Sequence, residues 1–127
     1  MRSMLSEKAR LALIDIQYNI AAARAFIGDM SFEAFKSNLM AFYAVVRALE
    51  IISEASRRLP EDLKDRHPGI PWRAMRDAGN FYRHEYDGVA ASYIWKTTRE
   101  RFGPLAVVVA SELAADDDNK TSQTEGF

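Results

Sequence analysis

The sequence contains no cysteine among its 127 residues. A chain without thiols can form neither a disulfide framework nor a thiolate metal site, which fits the reducing cytosol. No apolar run approaches the roughly 18 residues that a membrane span requires. Charged residues such as Glu7, Lys8 and Asp15 interrupt the N-terminal segment where a signal peptide would have its apolar core. We therefore expect a soluble, unprocessed, cytoplasmic protein with no membrane partner.

An excess of charge of one sign is also missing. The chain has 17 Lys and Arg against 18 Asp and Glu, a net charge of −1. The surface as a whole therefore lacks the positive charge that would attract a polyanion such as a nucleic acid. Any site that binds a polyanion must be a local basic patch. No spacing of His, Asp and Glu resembles a metal cage, and no serine has an evident histidine–carboxylate partner. The sequence therefore predicts neither a metal nor a cofactor.

Proline and glycine are scarce, with four and six copies, and several of them separate the helical patterns. Apolar residues recur every three or four positions, and the one β-branched run, residues 107–109, lies inside such a pattern. We expect an all-α, up-and-down bundle in residues 1–115 and a disordered polar tail in residues 116–127. The predicted helices cover residues 5–27, 32–59, 60–66, 71–88 and 90–114, the last one kinked or restarted at Gly103-Pro104.

The segment between Pro71 and Gly88 has the most informative pattern. At about 100° per residue, its polar side chains fall within one stripe roughly 100° wide, while Ala74 and Met75 are among the apolar residues opposite. Arginine can hold a phosphate, and histidine can move a proton near neutral pH. The members of the stripe are Arg73, Arg76, Asn80, Arg83, His84 and Asp87.

Two interpretations of this stripe remain open. Polar residues opposite an apolar face are usually a solvated surface. Here, however, the stripe has no lysine–glutamate pairs and includes one of only two histidines in the chain, His84. Gly79 in mid-helix costs about 1 kcal/mol relative to alanine, which suggests a close approach of another group to the backbone.

The remaining candidates have simpler interpretations. His67 precedes Pro68 in a loop, and we expect it to be solvated. Trp72 and Trp95 lie on apolar sides and are expected to be core or interface anchors. Arg47 and Glu54, seven residues apart, share one helix face as two exposed charges or as an ion pair.

Several of these runs together resemble the HepT-like (DUF86) family of HEPN-domain toxins. They are Ile70-Pro71-Trp72, the run of residues 79–86, Ile94-Trp95 and the upstream run of residues 46–55, in which Ser53 replaces the usual glycine. The resemblance covers residues 5–113. It implies a four- to five-helix bundle that forms a homodimer and cleaves RNA without a metal. It also implies a partner, a minimal nucleotidyltransferase antitoxin, which neutralises the toxin by AMPylation and could form a larger hetero-oligomer with it.

The family motif is arginine, usually asparagine, three residues, histidine, any residue and tyrosine. On that pattern Asn80 and His84 are catalytic candidates and Tyr86 is the AMPylated tyrosine. The arginine position is Gly79, and Arg76 or Arg83 could supply the missing cation. The resemblance also favours a buried or interfacial ion pair of Arg47 with Glu54. This pair would support the motif helix, which is the predicted helix of residues 71–88.

The resemblance implies two alternative functions. The first is a toxin of a type VII toxin–antitoxin system, a metal-independent endoribonuclease. Cleavage needs a base, an acid and cations at the phosphate, and a two-fold dimer that buries the stripe at its axis would supply a second imidazole. The second is a catalytically silent HEPN module that binds the antitoxin or serves as its substrate, because the motif arginine is absent.

Overall fold

The computed structural model describes the backbone of residues 5–81 and 88–125, and within them the side chains of residues 5–76 and 90–119. This part of the chain contains seven α-helices and no strand, so the all-α prediction is confirmed. The helices are α1 (Glu7–Ile27), α2 (Phe32–Lys36), α3 (Leu39–Arg57), α4 (Glu61–Asp65), α5 (Trp72–Phe81), α6 (Gly88–Glu100) and α7 (Phe102–Glu125).

The first helix ends at the predicted residue, Ile27, and begins two residues after the predicted start. The Ser6 hydroxyl accepts a hydrogen bond from the Ala9 N–H at 3.1 Å and so satisfies an otherwise unpaired backbone donor. Gly28 ends the helix with a φ of 56°, and its N–H donates to the Arg24 carbonyl at 2.9 Å. Glycine suits this left-handed conformation because it has no Cβ.

The predicted second helix, residues 32–59, is wrong as a single element. It is interrupted at Ser37 and Asn38, and the Asn38 side chain accepts a hydrogen bond from the Ala41 N–H at 2.9 Å to start α3. A short amide side chain competes with the helical backbone and favours such a cap. The break lets Phe35 pack against Trp95, with 5.5 Å between ring centroids.

The core lies mainly between α1 and α3, and α5, α6 and α7 pack around this pair. Its largest fully buried side chains include Leu13 and Ile16 of α1, Phe42 and Ile52 of α3, and Ile94 of α6. Both tryptophans are partly buried against this core, as predicted for anchors. Across the described residues, no helix is both long and apolar enough to cross a membrane.

The bounds of α6 and α7 test two predictions, the helix restart near Gly103-Pro104 and the end of the motif helix at Gly88. The predicted restart near Gly103-Pro104 is present, since α6 ends at Glu100 and α7 begins at Phe102. Pro104 is therefore in the first turn of α7, where its missing N–H is tolerated. Gly88, predicted to end the motif helix, instead begins α6. The structure gives α5 as far as Phe81, and the prediction that this helix includes residues 82–87 falls outside the described residues.

The predicted disordered tail from residue 116 is also wrong, because α7 continues to Glu125. Asp116 is only 2% exposed. Its carboxylate accepts a hydrogen bond from the Leu5 N–H at 2.9 Å and lies 3.2 Å from the Arg10 guanidinium. These partners come from the beginning of the chain, so composition within the tail could not reveal them.

Candidate functional site

The motif helix α5 starts directly after Ile70 and Pro71. The Pro71 carbonyl accepts the first helical hydrogen bond, from the Met75 N–H at 3.0 Å. Met75 is buried, whereas Arg73 and Arg76 are exposed. The predicted division of this helix into an apolar and a basic side is therefore confirmed over its first turn and a half.

Helix α3 holds α5 through the backbone of Arg76. The buried Ser53 hydroxyl donates to the Arg76 carbonyl at 2.6 Å, and the Arg57 guanidinium donates to the same oxygen at 3.0 Å. The Ser56 hydroxyl in turn donates to the Ser53 carbonyl at 2.7 Å. A glycine in place of Ser53, as the resemblance leads one to expect, could not make the first bond. This serine therefore helps to fix where the motif helix lies.

The remaining motif residues are only partly covered by the description. Gly79 and Asn80 belong to helix α5, but the Asn80 side chain is outside the described set. Arg83, His84 and Tyr86 lie outside the described residues altogether. Their catalytic and modification roles stay predictions.

Arg47 and Glu54 each have a partner on α3 itself. Arg47 lies 3.4 Å from Glu50, and Glu54 lies 3.6 Å from Arg57. The Arg47 and Glu54 side chains are 70% and 64% exposed in the single chain. An ion pair between Arg47 and Glu54, buried by a second chain, stays a prediction.

A cleft of about 290 Å³ opens between α4 and α5. It is lined by Glu61, Lys64, Trp72, Arg73 and Arg76. The Lys64 ammonium lies 3.7 Å from the Glu61 carboxylate, so the two arginines leave the lining with a net positive charge. The structure thus places both described arginines of the motif stripe at one concave surface.

The prediction for His67 is wrong, because this residue is not a solvated loop histidine. Its Nε2 lies 2.7 Å from Glu112 Oε2, and the Glu112 side chain is fully buried. Arg66 donates to both oxygens of the same carboxylate, at 2.8 and 3.3 Å. The hydrogen bond to Glu112 raises the pKa of Arg66 above its usual value. The loop before α5 is therefore tied to α7.

One signal in the sequence could have found this cluster. Glu112 falls on the apolar stripe of α7, in line with Leu105 and Val109, and both of those residues are fully buried. A carboxylate at such a position needs a cationic or hydrogen-bonding partner, since an unpaired buried charge is very costly. The pattern demands a partner, but only the packing identifies it as Arg66 and His67.

The described side chains offer no obvious place for a metal. Among them, no three His, Asp or Glu residues are grouped so that they could hold an ion. What this part of the chain offers is guanidinium groups around a cleft, which suits a phosphate.

Comparison with known proteins decides the family. The family model described as Ribonuclease HepT-like matches residues 16–111. The chain belongs to the HepT-like ribonuclease family. A probable ribonuclease HepT from Thermococcus cleftensis is 42% identical over 69% of this chain and 80% of its own. A putative RNase from Methanocaldococcus jannaschii is 35% identical over 76% of this chain and 89% of its own.

The HepT-like match includes α3, α5 and the whole motif segment. Glu112 and Asp116, which tie α7 to the rest of the chain, lie just beyond its end. No solved structure matches the chain significantly.

Proposed function

We propose that this protein is the toxin of a type VII toxin–antitoxin system, a metal-independent endoribonuclease. The observation that supports it best is the exposed basic side of α5, whose backbone is anchored on α3 at Arg76 and whose sequence leads to Asn80 and His84. Membership of the HepT-like family supports the same substrate class. The names of the relatives quoted above likewise describe ribonucleases.

The chemistry needs only groups that the motif supplies. His84 would remove the proton from a ribose 2′-hydroxyl, whose oxygen then attacks the adjacent phosphorus. Arg76 or Arg83 would stabilise the negative charge that builds on the phosphate oxygens, with Asn80 orienting the imidazole. The leaving 5′-oxygen takes a proton from a second imidazole, and a two-fold dimer would provide one from the other chain.

Control by an antitoxin completes the proposal. A cognate minimal nucleotidyltransferase would transfer AMP from a nucleoside triphosphate to the Tyr86 phenol oxygen, releasing pyrophosphate. The added phosphate would bring negative charge next to Arg83 and His84 and occupy the place of the RNA phosphate.

The alternative is a silent HEPN module that binds or is modified by the antitoxin without cleaving RNA. The observation that favours it is Gly79, which stands at the position of the motif arginine. Both functions predict a complex with the antitoxin, but only the first predicts RNA cleavage.

The deciding experiment compares the two histidines of the chain. His84→Ala should abolish RNA cleavage in EDTA while circular dichroism shows an intact helical fold. His67→Gln is the matched control: its amide N–H can still donate to Glu112, so cleavage should persist. Wild-type protein that neither cleaves RNA nor arrests growth would establish the silent module instead.

A further inference from the structure

The cleft between α4 and α5 has the size of a site for a small ligand. Its volume of about 290 Å³ is close to the lower end of the roughly 300–1,000 Å³ typical of small-molecule pockets. One nucleotide unit suits such a volume, whereas a duplex does not fit.

The charge of the lining favours a phosphate. Arg73 has no acidic partner among the described side chains, and the cleft's one carboxylate, Glu61, is 3.7 Å from Lys64. With the Lys64–Glu61 pair set aside, the Arg73 guanidinium still gives the cleft lining a positive charge. Guanidinium groups match the oxygens of a phosphodiester in geometry as well as in charge.

The aromatic wall of the cleft is held in place before any ligand arrives. The Trp72 indole N–H donates to the His67 carbonyl at 3.0 Å, and the His67 ring is in turn bound to the buried Glu112. An indole fixed in this way loses little freedom when a base stacks on it. Unpaired bases of single-stranded RNA commonly stack on such rings.

We propose that this cleft is a subsite for one nucleotide of a single-stranded RNA, with its base on Trp72 and its phosphate at Arg73. The inference rests on the proposed function, because it adds a binding place for the same substrate. From Arg73 to Asn80 the helix rises about 10 Å. The subsite therefore holds a nucleotide that flanks the scissile phosphate and positions the strand.

The chain offers a built-in probe for this site, since Trp95 is its only other tryptophan. In Trp95→Phe, whose ring can still pack against Phe35, all indole fluorescence comes from Trp72. A 2′-O-methyl hexaadenylate, which lacks the attacking hydroxyl, should quench this fluorescence on binding. Binding itself is followed independently by the anisotropy of a dye on the oligonucleotide.

Arg73→Gln in the same background tests the phosphate contact at an exposed position where misfolding is not expected. We expect binding to weaken roughly tenfold, as for the loss of a charge-assisted contact. The slope of log affinity against log salt should fall by about 0.7. Lys36→Gln removes the same charge at the C-terminal end of α2, outside the cleft lining, and should change neither quantity.

Two outcomes would overturn the subsite. In the first, the anisotropy shows that the oligonucleotide binds to saturation while Trp72 fluorescence stays constant. In the second, Arg73→Gln has the same affinity and the same salt dependence as Lys36→Gln. Quenching by AMP alone, at the affinity of the oligonucleotide, would overturn the assignment to a strand.

A cleavage assay separates this proposal from the proposed function. RNA cleavage with an unchanged KM in Arg73→Gln would refute the subsite and leave the ribonuclease intact. A different result would support the subsite and refute the ribonuclease activity. In that case the oligonucleotide quenches Trp72 fluorescence, Arg73→Gln weakens this quenching, and the protein cleaves no RNA.

Discussion

At the scale of single residues, the proposed catalysis would require another cation in place of the motif arginine, because the chain has Gly79 at that position. Arg76 is exposed one turn before it on α5 and lines the cleft with Arg73. Arg83 lies outside the described residues and, by sequence, next to His84. Both arginines are candidates for the contact with the phosphate.

We predict that one of these two arginines carries the lost function. Substituting it with glutamine should lower the cleavage rate by about 10²–10³-fold, the usual effect of removing one donor that stabilises transition-state charge. Single-turnover kinetics of Arg76→Gln and Arg83→Gln measure this effect. Arg24→Gln, an exposed arginine of α1, is the control. If neither Arg76→Gln nor Arg83→Gln cleaves RNA more slowly than Arg24→Gln, another group stabilises the charge on the phosphate.

Tyr86 is the second residue with a specific expectation. Co-expression with the cognate nucleotidyltransferase should raise the intact mass by one or more AMP units, and Tyr86→Phe should stay unmodified and toxic. Tyr18→Phe is the control, because Tyr18 is 73% exposed and outside the motif. An unmodified Tyr86 beside an active antitoxin would contradict this mechanism and favour neutralisation by steric blocking.

At the scale of elements, the position of α5 is set from two sides. Ser53 and Arg57 of α3 bind the Arg76 carbonyl in the middle of α5. Glu112 of α7 binds Arg66 and His67 just before α5 begins. A helix held at its start and its middle can present arginine side chains at a fixed place, which a phosphate site requires.

The tie to α7 leads to a stability prediction. Glu112→Gln keeps the side-chain size but removes the buried charge, and should lower the free energy of unfolding by about 2–3 kcal/mol. Breaking a buried ion pair can cost roughly 3–5 kcal/mol of stability. The expected loss is smaller here because Arg66 and His67 are partly exposed, so water can hydrate them once the charge of Glu112 is removed. Urea unfolding measures the change.

Asp62→Asn is the matched control, because Asp62 pairs with the same Arg66 at 3.4 Å but is 77% exposed. An exposed pair contributes about 0–1 kcal/mol. Equal effects of the two substitutions would mean that the burial of Glu112 adds nothing to stability.

At the scale of the whole molecule, one face of α3 remains exposed in the single chain. Met40 is 79% and Tyr43 is 56% exposed, and Arg47 and Glu54 continue the same face at helical spacing. Apolar residues grouped on a surface are typical of an interaction site. Glu54 lies next in sequence to Ser53, which binds the Arg76 carbonyl of α5. We therefore expect a dimer formed through this face to bring the two motif helices closer together.

We predict a homodimer by light scattering at micromolar concentration. Tyr43→Asp should shift it towards monomer, because a charge would replace an aromatic ring within the contact. Val107→Asp, at a 69% exposed position on α7, should leave the dimer unchanged. A wild-type monomer would contradict the prediction and remove the proposed source of the second imidazole.

Helical periodicity, caps and proline positions determined most of the local structure of this protein. The end of α1 at Gly28, the short helix after Pro60 and the restart before Pro104 all follow from local backbone chemistry. The same patterns identified the apolar side of α5 and its exposed arginines. Such features are readable because the residues that cause them are within a few positions of one another.

The tertiary structure alone decided the contacts that join distant positions. Asp116 belongs to the fold because Leu5 and Arg10 bind it, and His67 is held because Glu112 faces it from another helix. The partners in these contacts are 45 to 111 residues apart. A buried carboxylate shows in the sequence that a partner must exist, but only the packing of the helices selects it.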